Sequence, residues 1–109
     1  MARDAGLEAM VNDALRGQPG LITKAMFGGW VWMQHGNLLC GAKTDSLLVR
    51  LGKDNVAWAL ELPGVTAMMS GTRPMRGWVR ASAEAYGGGA TFDPLIAGAL
   101  AFVATLPRK

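Results

Sequence analysis

Between Leu21 and Leu51 the chain is built from four short apolar runs: Leu21 to Phe27, Gly29 to Gln34, Leu38 to Lys43 and Leu47 to Leu51. Glycine, asparagine, aspartate or serine stands at each junction. Runs this short, broken by turn residues rather than by helical segments, predict consecutive antiparallel strands, because a parallel pair needs a crossover of a dozen residues or more. Gly36-Asn37 reads as a two-residue hairpin turn with glycine at the first central position, as a type II′ turn prefers. That register pairs His35 with Leu38 and Met33 with Cys40. Alternation then sets Val31, Met33, Leu38, Cys40 and Ala42 on one face and Trp30, Trp32, Gln34, Leu39 and Lys43 on the other. Both faces carry large apolar groups. One layer of helices covers one face only, so the second is expected to meet another subunit or a ligand.

The flanking segments supply that layer. Residues 3 to 16 place Leu7, Met10, Val11, Ala14 and Leu15 at helical spacing, and Gly17 with Pro19-Gly20 ends the helix. A short helix is predicted from Asp54 to Glu61, stopped by Pro63-Gly64, and a strand from Val65 to Met69. Residues 75 to 82 alternate Met75, Gly77, Val79 and Ala81 against Arg76, Trp78, Arg80 and Ser82, which predicts a further strand. Gly87-Gly88-Gly89 reads as a loop, and Asp93-Pro94 as the N-cap and first turn of a helix running to about Leu106. That helix has no charge between Asp93 and Arg108 and carries Leu95, Ile96, Leu100, Phe102, Val103 and Leu106 around much of its circumference. It is expected to be covered twice, by its own sheet and by a partner. The expected class is α+β: one two-layer domain over residues 1–109, an antiparallel sheet of five to six strands with N-terminal, short central and C-terminal helices.

Composition supports the same expectation of assembly. Half of the 109 residues are hydrophobic and 17% are charged, against a usual quarter charged, so polar material to coat the outside is scarce. A homo-oligomer, with a dimer as the leading case, is expected. The net charge of +3 permits an anionic partner, but the eleven Lys and Arg are dispersed from Arg3 to Lys109. The single cysteine, Cys40, excludes an intramolecular disulfide and any multi-cysteine zinc site. The uncharged stretch of residues 94 to 107 is too short to span a bilayer. No leader pattern opens the chain, so a cytoplasmic location without membrane attachment is expected.

Candidate chemistry is sparse. Cys40 and His35 are a conceivable nucleophile and base, but no carboxylate is placed to orient the imidazole, and they read as a buried thiol and a turn-flanking histidine. No catalytic residue, cofactor or metal site is assigned. Gly28-Gly29 and Gly87-Gly88-Gly89 fit no phosphate-binding pattern and read as structural. Arg76, Trp78 and Arg80 share one predicted strand face. With Arg50 and Arg73 nearby, they offer guanidinium groups beside an indole, a set found both at protein interfaces and on nucleic-acid-binding sheets. Trp30, Trp32, Arg50, Arg76, Trp78 and Arg80 are the candidate interaction surface, with a protein partner favoured over nucleic acid. Met26, Met33, Met68, Met69 and Met75 read as core filler.

The order of helix, Met26-Phe27-Gly28-Gly29, hairpin with Gly36, the strand Leu47-Leu48-Val49-Arg50, short helix, the strand Met75-Arg76-Gly77-Trp78 and final helix resembles the TfoX/Sxy N-terminal domain family over roughly residues 5 to 106. The motif residues Met26, Phe27, Gly28, Gly29, Gly36 and Gly77 enter as structural. The resemblance implies a two-layer fold akin to secretion-chaperone-like domains, with no catalytic residues. Long members of that family carry a second domain and are linked to regulation of natural competence with a cyclic-AMP receptor-type transcription factor. By that likeness this chain is expected to be a stand-alone member acting in transcription regulation, possible partners being a transcription-regulator protein and its own copy.

Overall fold

The computed structural model describes residues 5–26, 29–43, 46–70, 72–82 and 89–107. Six antiparallel strands form one open sheet: β1 (Leu21–Met26), β2 (Gly29–Gln34), β3 (Asn37–Ala42), β4 (Ser46–Arg50), β5 (Val65–Ser70) and β6 (Arg73–Ser82). Their spatial order is β1-β2-β3-β4-β6-β5, so the first four strands form a meander and β6 inserts between β4 and β5. The helices are α1 (Ala5–Ala14), α2 (Ala57–Leu60) and α3 (Gly89–Val103). This is the α+β arrangement expected from the pattern of runs. Phe27, Gly28, Gly87 and Gly88 lie outside the described residues, as do Arg3 and Asp4 at the predicted start of the first helix.

The three helices among the described residues contribute to one core against a single face of the sheet. Leu7, Val11 and Leu15, Ala59, and the α3 stripe Phe92, Leu95, Ile96, Ala99 and Val103 join Trp32, Cys40, Ala42, Leu47, Val49, Val79 and Ala81 in one buried cluster. The stripe on α3 follows helical spacing, and Ala97, Ala101 and Ala104 occupy its exposed side. The outward residues of this helix are small, while Leu100 and Phe102 are half-buried against the same core. The helix also begins earlier than Asp93: Pro94 lies inside it, where its fixed φ is compatible with the helix and one backbone hydrogen bond is given up. Likewise α2 is shorter than Asp54 to Glu61. Gly52 (φ +94°) turns the chain, the Asn55 N–H donates to the Gly52 carbonyl, and the Asn55 side chain accepts from the Trp58 indole at 3.1 Å.

The β2–β3 hairpin corrects the predicted register. Its loop residues are His35 and Gly36, both at positive φ (51° and 83°), the signature of a type I′ turn whose twist matches the strands it joins. Gln34 pairs Asn37 and Met33 pairs Leu38, but Trp32 pairs Cys40, so the ladder slips between Trp32 and Met33. Leu39 is the extra residue of a β-bulge. Two ties hold this arrangement: the His35 N–H donates to the Gly20 carbonyl at 3.0 Å, and the Asn37 side-chain amide donates to the Pro107 carbonyl at 2.9 Å. In consequence Cys40 and Ala42 share the helix-covered face with Trp30 and Trp32, not the face of Val31 and Met33. Trp32 is fully buried, with its indole N–H donating to the Asn12 side chain at 2.9 Å.

Gly77 is a second irregularity. It holds φ +86° within β6, and its carbonyl accepts both the Leu51 and Gly52 N–H groups, at 2.7 and 3.1 Å. A Cβ there would stand 2.9 Å from the Lys53 nitrogen. Gly17, after α1, has the same φ of +86° but nothing within 4 Å of an added Cβ. We therefore expect Gly17→Ala to cost about 1–2 kcal/mol in chemical denaturation, from backbone strain alone. Gly77→Ala should cost roughly 2–4 kcal/mol, because backbone must also move; equal losses at the two sites would contradict this geometry.

Candidate binding face

The face of the sheet turned away from the helices is the candidate site. One cross-strand row runs Lys24–Val31–Gly41–Leu48–Arg80–Thr66 over all six strands. Beside it lie the pairs Met33–Leu38 and Arg50–Trp78. Val31 and Leu48 retain only 2% and 4% of their exposure although no helix covers them. Both line a hollow in this face. The hollow encloses about 300 Å³, with Val31, Gly41 and Leu48 along the row and Met33, Met68, Met75 and Trp78 among its walls. Arg50 lies at its margin, with a guanidinium N–H donating to the Leu38 carbonyl at 3.3 Å and its Cζ 5.4 Å from the Phe102 ring centre.

The structure divides the residues singled out in the sequence. Arg50, Trp78 and Arg80 belong to this face, Arg50 directly opposite Trp78 and Arg80 opposite Leu48. Gly77 interrupts the two-residue alternation, so Met75 and Trp78 line the hollow, whereas Arg76 lines an adjoining depression with Lys53, Asp54 and Val56 that shares Met75 and Trp78 with it. Arg73 pairs with Ser70 at the far end of the β5–β6 hairpin. Trp32 is enclosed in the core and Trp30 packs against that core, so placing Trp32 on an interaction surface is corrected by its burial. Met33, Met68 and Met75 are half-buried walls rather than core filler. Gly29, from the motif, has the Ala42 carbonyl where a Cβ would stand, so close strand approach demands glycine there. Gly36 supplies the second left-handed turn residue, and Met26 is the last residue of β1, paired with Gly29.

Cys40 pairs Trp32 and Val49 within the core, and burial pushes its thiol up to about 12. His35 sits in the hairpin turn, where an added Cβ on Gly20 would strike its ring. The two do not form a nucleophile–base pair, since the thiol faces the helices from inside the sheet. Besides Met33, Met68 and Met75, the sequence reading missed Gly41 and Leu48 as lining residues. Their signal was a glycine in the middle of a strand and a leucine two residues before Arg50, unreadable until β4 is known to pair with β6.

Among the described residues no helix is long and apolar enough to cross a membrane. Neither the curated proteins nor the solved structures contain a match to this chain. A family model for the TfoX N-terminal domain matches residues 13–103, and the hairpins, the inserted β6 and the three helices described above all fall within or overlap that span. The chain belongs to the TfoX N-terminal domain family.

Proposed function

We propose that the chain is a non-enzymatic regulatory module that works by protein–protein pairing, and that its first partner is a second copy of itself joined along β1. The observation that carries this reading is the exposure of that strand: Ile22, Thr23, Lys24 and Ala25 are all exposed, Ile22 at 52%, and β1 has a neighbour on one side only. An unpaired strand edge is a template for adding another strand. Since the His35 N–H donates to the Gly20 carbonyl, antiparallel alternation turns the backbone groups of Leu21, Thr23 and Ala25 outward. A two-fold axis at Thr23 sets the two Thr23 residues opposite each other and each Lys24 opposite the partner subunit's Ile22. An axis at Lys24 would instead oppose two like charges, which is unfavourable.

The exposed large apolar groups Ile22, Leu60 and Met69 lie on β1, α2 and β5. That distribution favours pairing along strands over the apolar-face assembly expected from the sequence. Membership of the TfoX N-terminal domain family supports the regulatory reading, since it makes the chain a competence-regulator-like domain at most. Partnership with a transcription regulator is part of this proposal. Direct binding of nucleic acid through Arg50, Arg76, Trp78 and Arg80 is the less favoured reading, because these cations are divided between depressions: Arg50 borders the hollow, whereas Arg76 borders the one with Lys53 and Asp54, whose carboxylate opposes a phosphate. The non-enzymatic reading is supported by the inaccessible, protonated Cys40 thiol.

Six residues of edge bury less than a standard interface of about 1,600 Å², so a dissociation constant on the order of 1–100 µM is expected. Light scattering across that range should show a monomer–dimer equilibrium. Ile22→Lys, which creates two like-charge pairs, and Thr23→Pro, which removes an outward donor, should each leave a folded monomer. A wild-type monomer at the highest concentration, or dimers undisturbed by both variants, contradicts the pairing.

The thiol supplies a separate expectation. Folded Cys40 holds its proton until about pH 12, whereas its ordinary value is 9.0, so between these the unfolded chain binds fewer protons and stability falls as pH rises. Denaturant unfolding between pH 9 and 11 should therefore show a slope steeper in wild type than in Cys40→Ala by up to about 1.4 kcal/mol per pH unit. Parallel slopes would mean that the thiol is solvated in the native state.

A further inference from the structure

We propose that the hollow on the helix-free face is a binding site for a small carboxylate with an aromatic or branched apolar body, its carboxylate held by Arg50. This goes beyond strand pairing along β1 and does not rest on it, since the lining comes from β2 to β6 and the edge belongs to β1.

Three observations converge. The first is Gly41. It lies mid-strand with neighbours on both sides, where glycine weakens a sheet. It is not among the positive-φ positions, so the backbone does not demand glycine there. A Cβ would reach 3.2 Å from the Val31 Cγ1 and 3.5 Å from the Trp30 carbonyl, tight but without a backbone collision. What the missing side chain does is deepen the floor between Val31 and Leu48. The second is the size and enclosure of the space. About 300 Å³ is at the lower end of small-ligand sites, roughly 300–1,000 Å³. The floor is already out of water, since Val31 and Leu48 are nearly inaccessible.

The third is the chemistry of the lining. Three methionines and an indole give polarizable apolar walls that favour an aromatic or branched group. Arg50 is the one ionisable residue among the described lining residues, so no carboxylate accompanies it in that set. Its neighbourhood adds Lys43 and Arg80, which border the adjoining depression around Leu48 and Met68. A guanidinium offers five donors in a fixed fork, and only the 3.3 Å bond to the Leu38 carbonyl is a long, weak use of one of them. A carboxylate is the planar anion that fits such a fork. A neutral hydrocarbon would fill the walls but leave the cation unanswered, and a larger protein segment would bring in far more surface than the hollow holds.

The test uses the full chain labelled at its methionine methyl groups, titrated with phenylacetate and, as a neutral match, phenylacetamide. Phenylacetate should shift the methyl resonances of Met33, Met68 and Met75 and the Trp78 indole resonance saturably. It should bind at least about fivefold more tightly than the amide, as a charge-assisted bond requires. Arg50→Gln should abolish the preference while leaving amide binding unchanged, and Arg50→Lys should keep part of it. Gly41→Ala should weaken both probes at least about fivefold by filling the floor, without loss of the folded spectrum. Equal affinity for the two probes, shifts scattered away from these residues, or indifference to Gly41→Ala would overturn the proposal. Because the readout is residue-specific and independent of light scattering, its failure is distinguishable from failure of edge pairing.

Discussion

The slip in the β2–β3 ladder governs the rest of the molecule. With Leu39 as an unpaired extra residue, Leu39 and Cys40 are both buried in the core although they are adjacent in sequence, which strict alternation forbids. Without that bulge, the set Cys40 and Ala42 would turn away from α1 and α3, and Gly41 would turn toward them. Everything on the helix-free face follows from the same phase. Gly41 falls into line with Val31 and Leu48, and Leu38 stands beside Met33. The bulge is held from a distance, by the Gly20 carbonyl before β1 and by Pro107 after α3, so both ends of the chain contribute to setting which face is covered.

Seen from the core, the division of labour between the two faces is one of size and shape. The helix side packs Trp32, Val49, Leu47 and Val79 against the inward stripes of α1 and α3. The opposite side lacks a side chain at Gly41 in the centre of the row and carries large ones around it, which leaves a hollow rather than a flat apolar plate. A flat apolar face of that size would require a partner to be soluble. A hollow with a shielded floor does not, and this is why so few large apolar groups are exposed despite a composition half hydrophobic. The large apolar side chains that remain exposed, Ile22, Leu60 and Met69, are carried by the edge strands and α2.

Much of this was readable in the residues themselves. The short runs between turn signals gave the antiparallel meander, the 7–11–15 spacing gave α1, and the TfoX-like order of motifs gave the class that the family match establishes. What was not readable depends on contacts far apart in sequence. The hairpin loop is His35-Gly36 rather than Gly36-Asn37 because Asn37 is drawn into the strand and bonds Pro107, seventy positions away. Trp78 reaches the hollow and Arg76 does not because Gly77, at positive φ, breaks the alternation between them, although both border the adjoining depression. The hollow unites residues of β2, β3, β4, β5 and β6, and it exists only once β6 is inserted between β4 and β5. Local pattern carries none of that information.

The account stands most directly on the register of that hairpin, and cross-strand backbone contacts in a nuclear Overhauser spectrum of the folded chain measure it. Contacts joining Trp32 with Cys40 and Met33 with Leu38, and leaving Leu39 without an opposite residue, are what the structure predicts. Contacts joining Met33 with Cys40 and His35 with Leu38 would put Cys40 on the other face and contradict it.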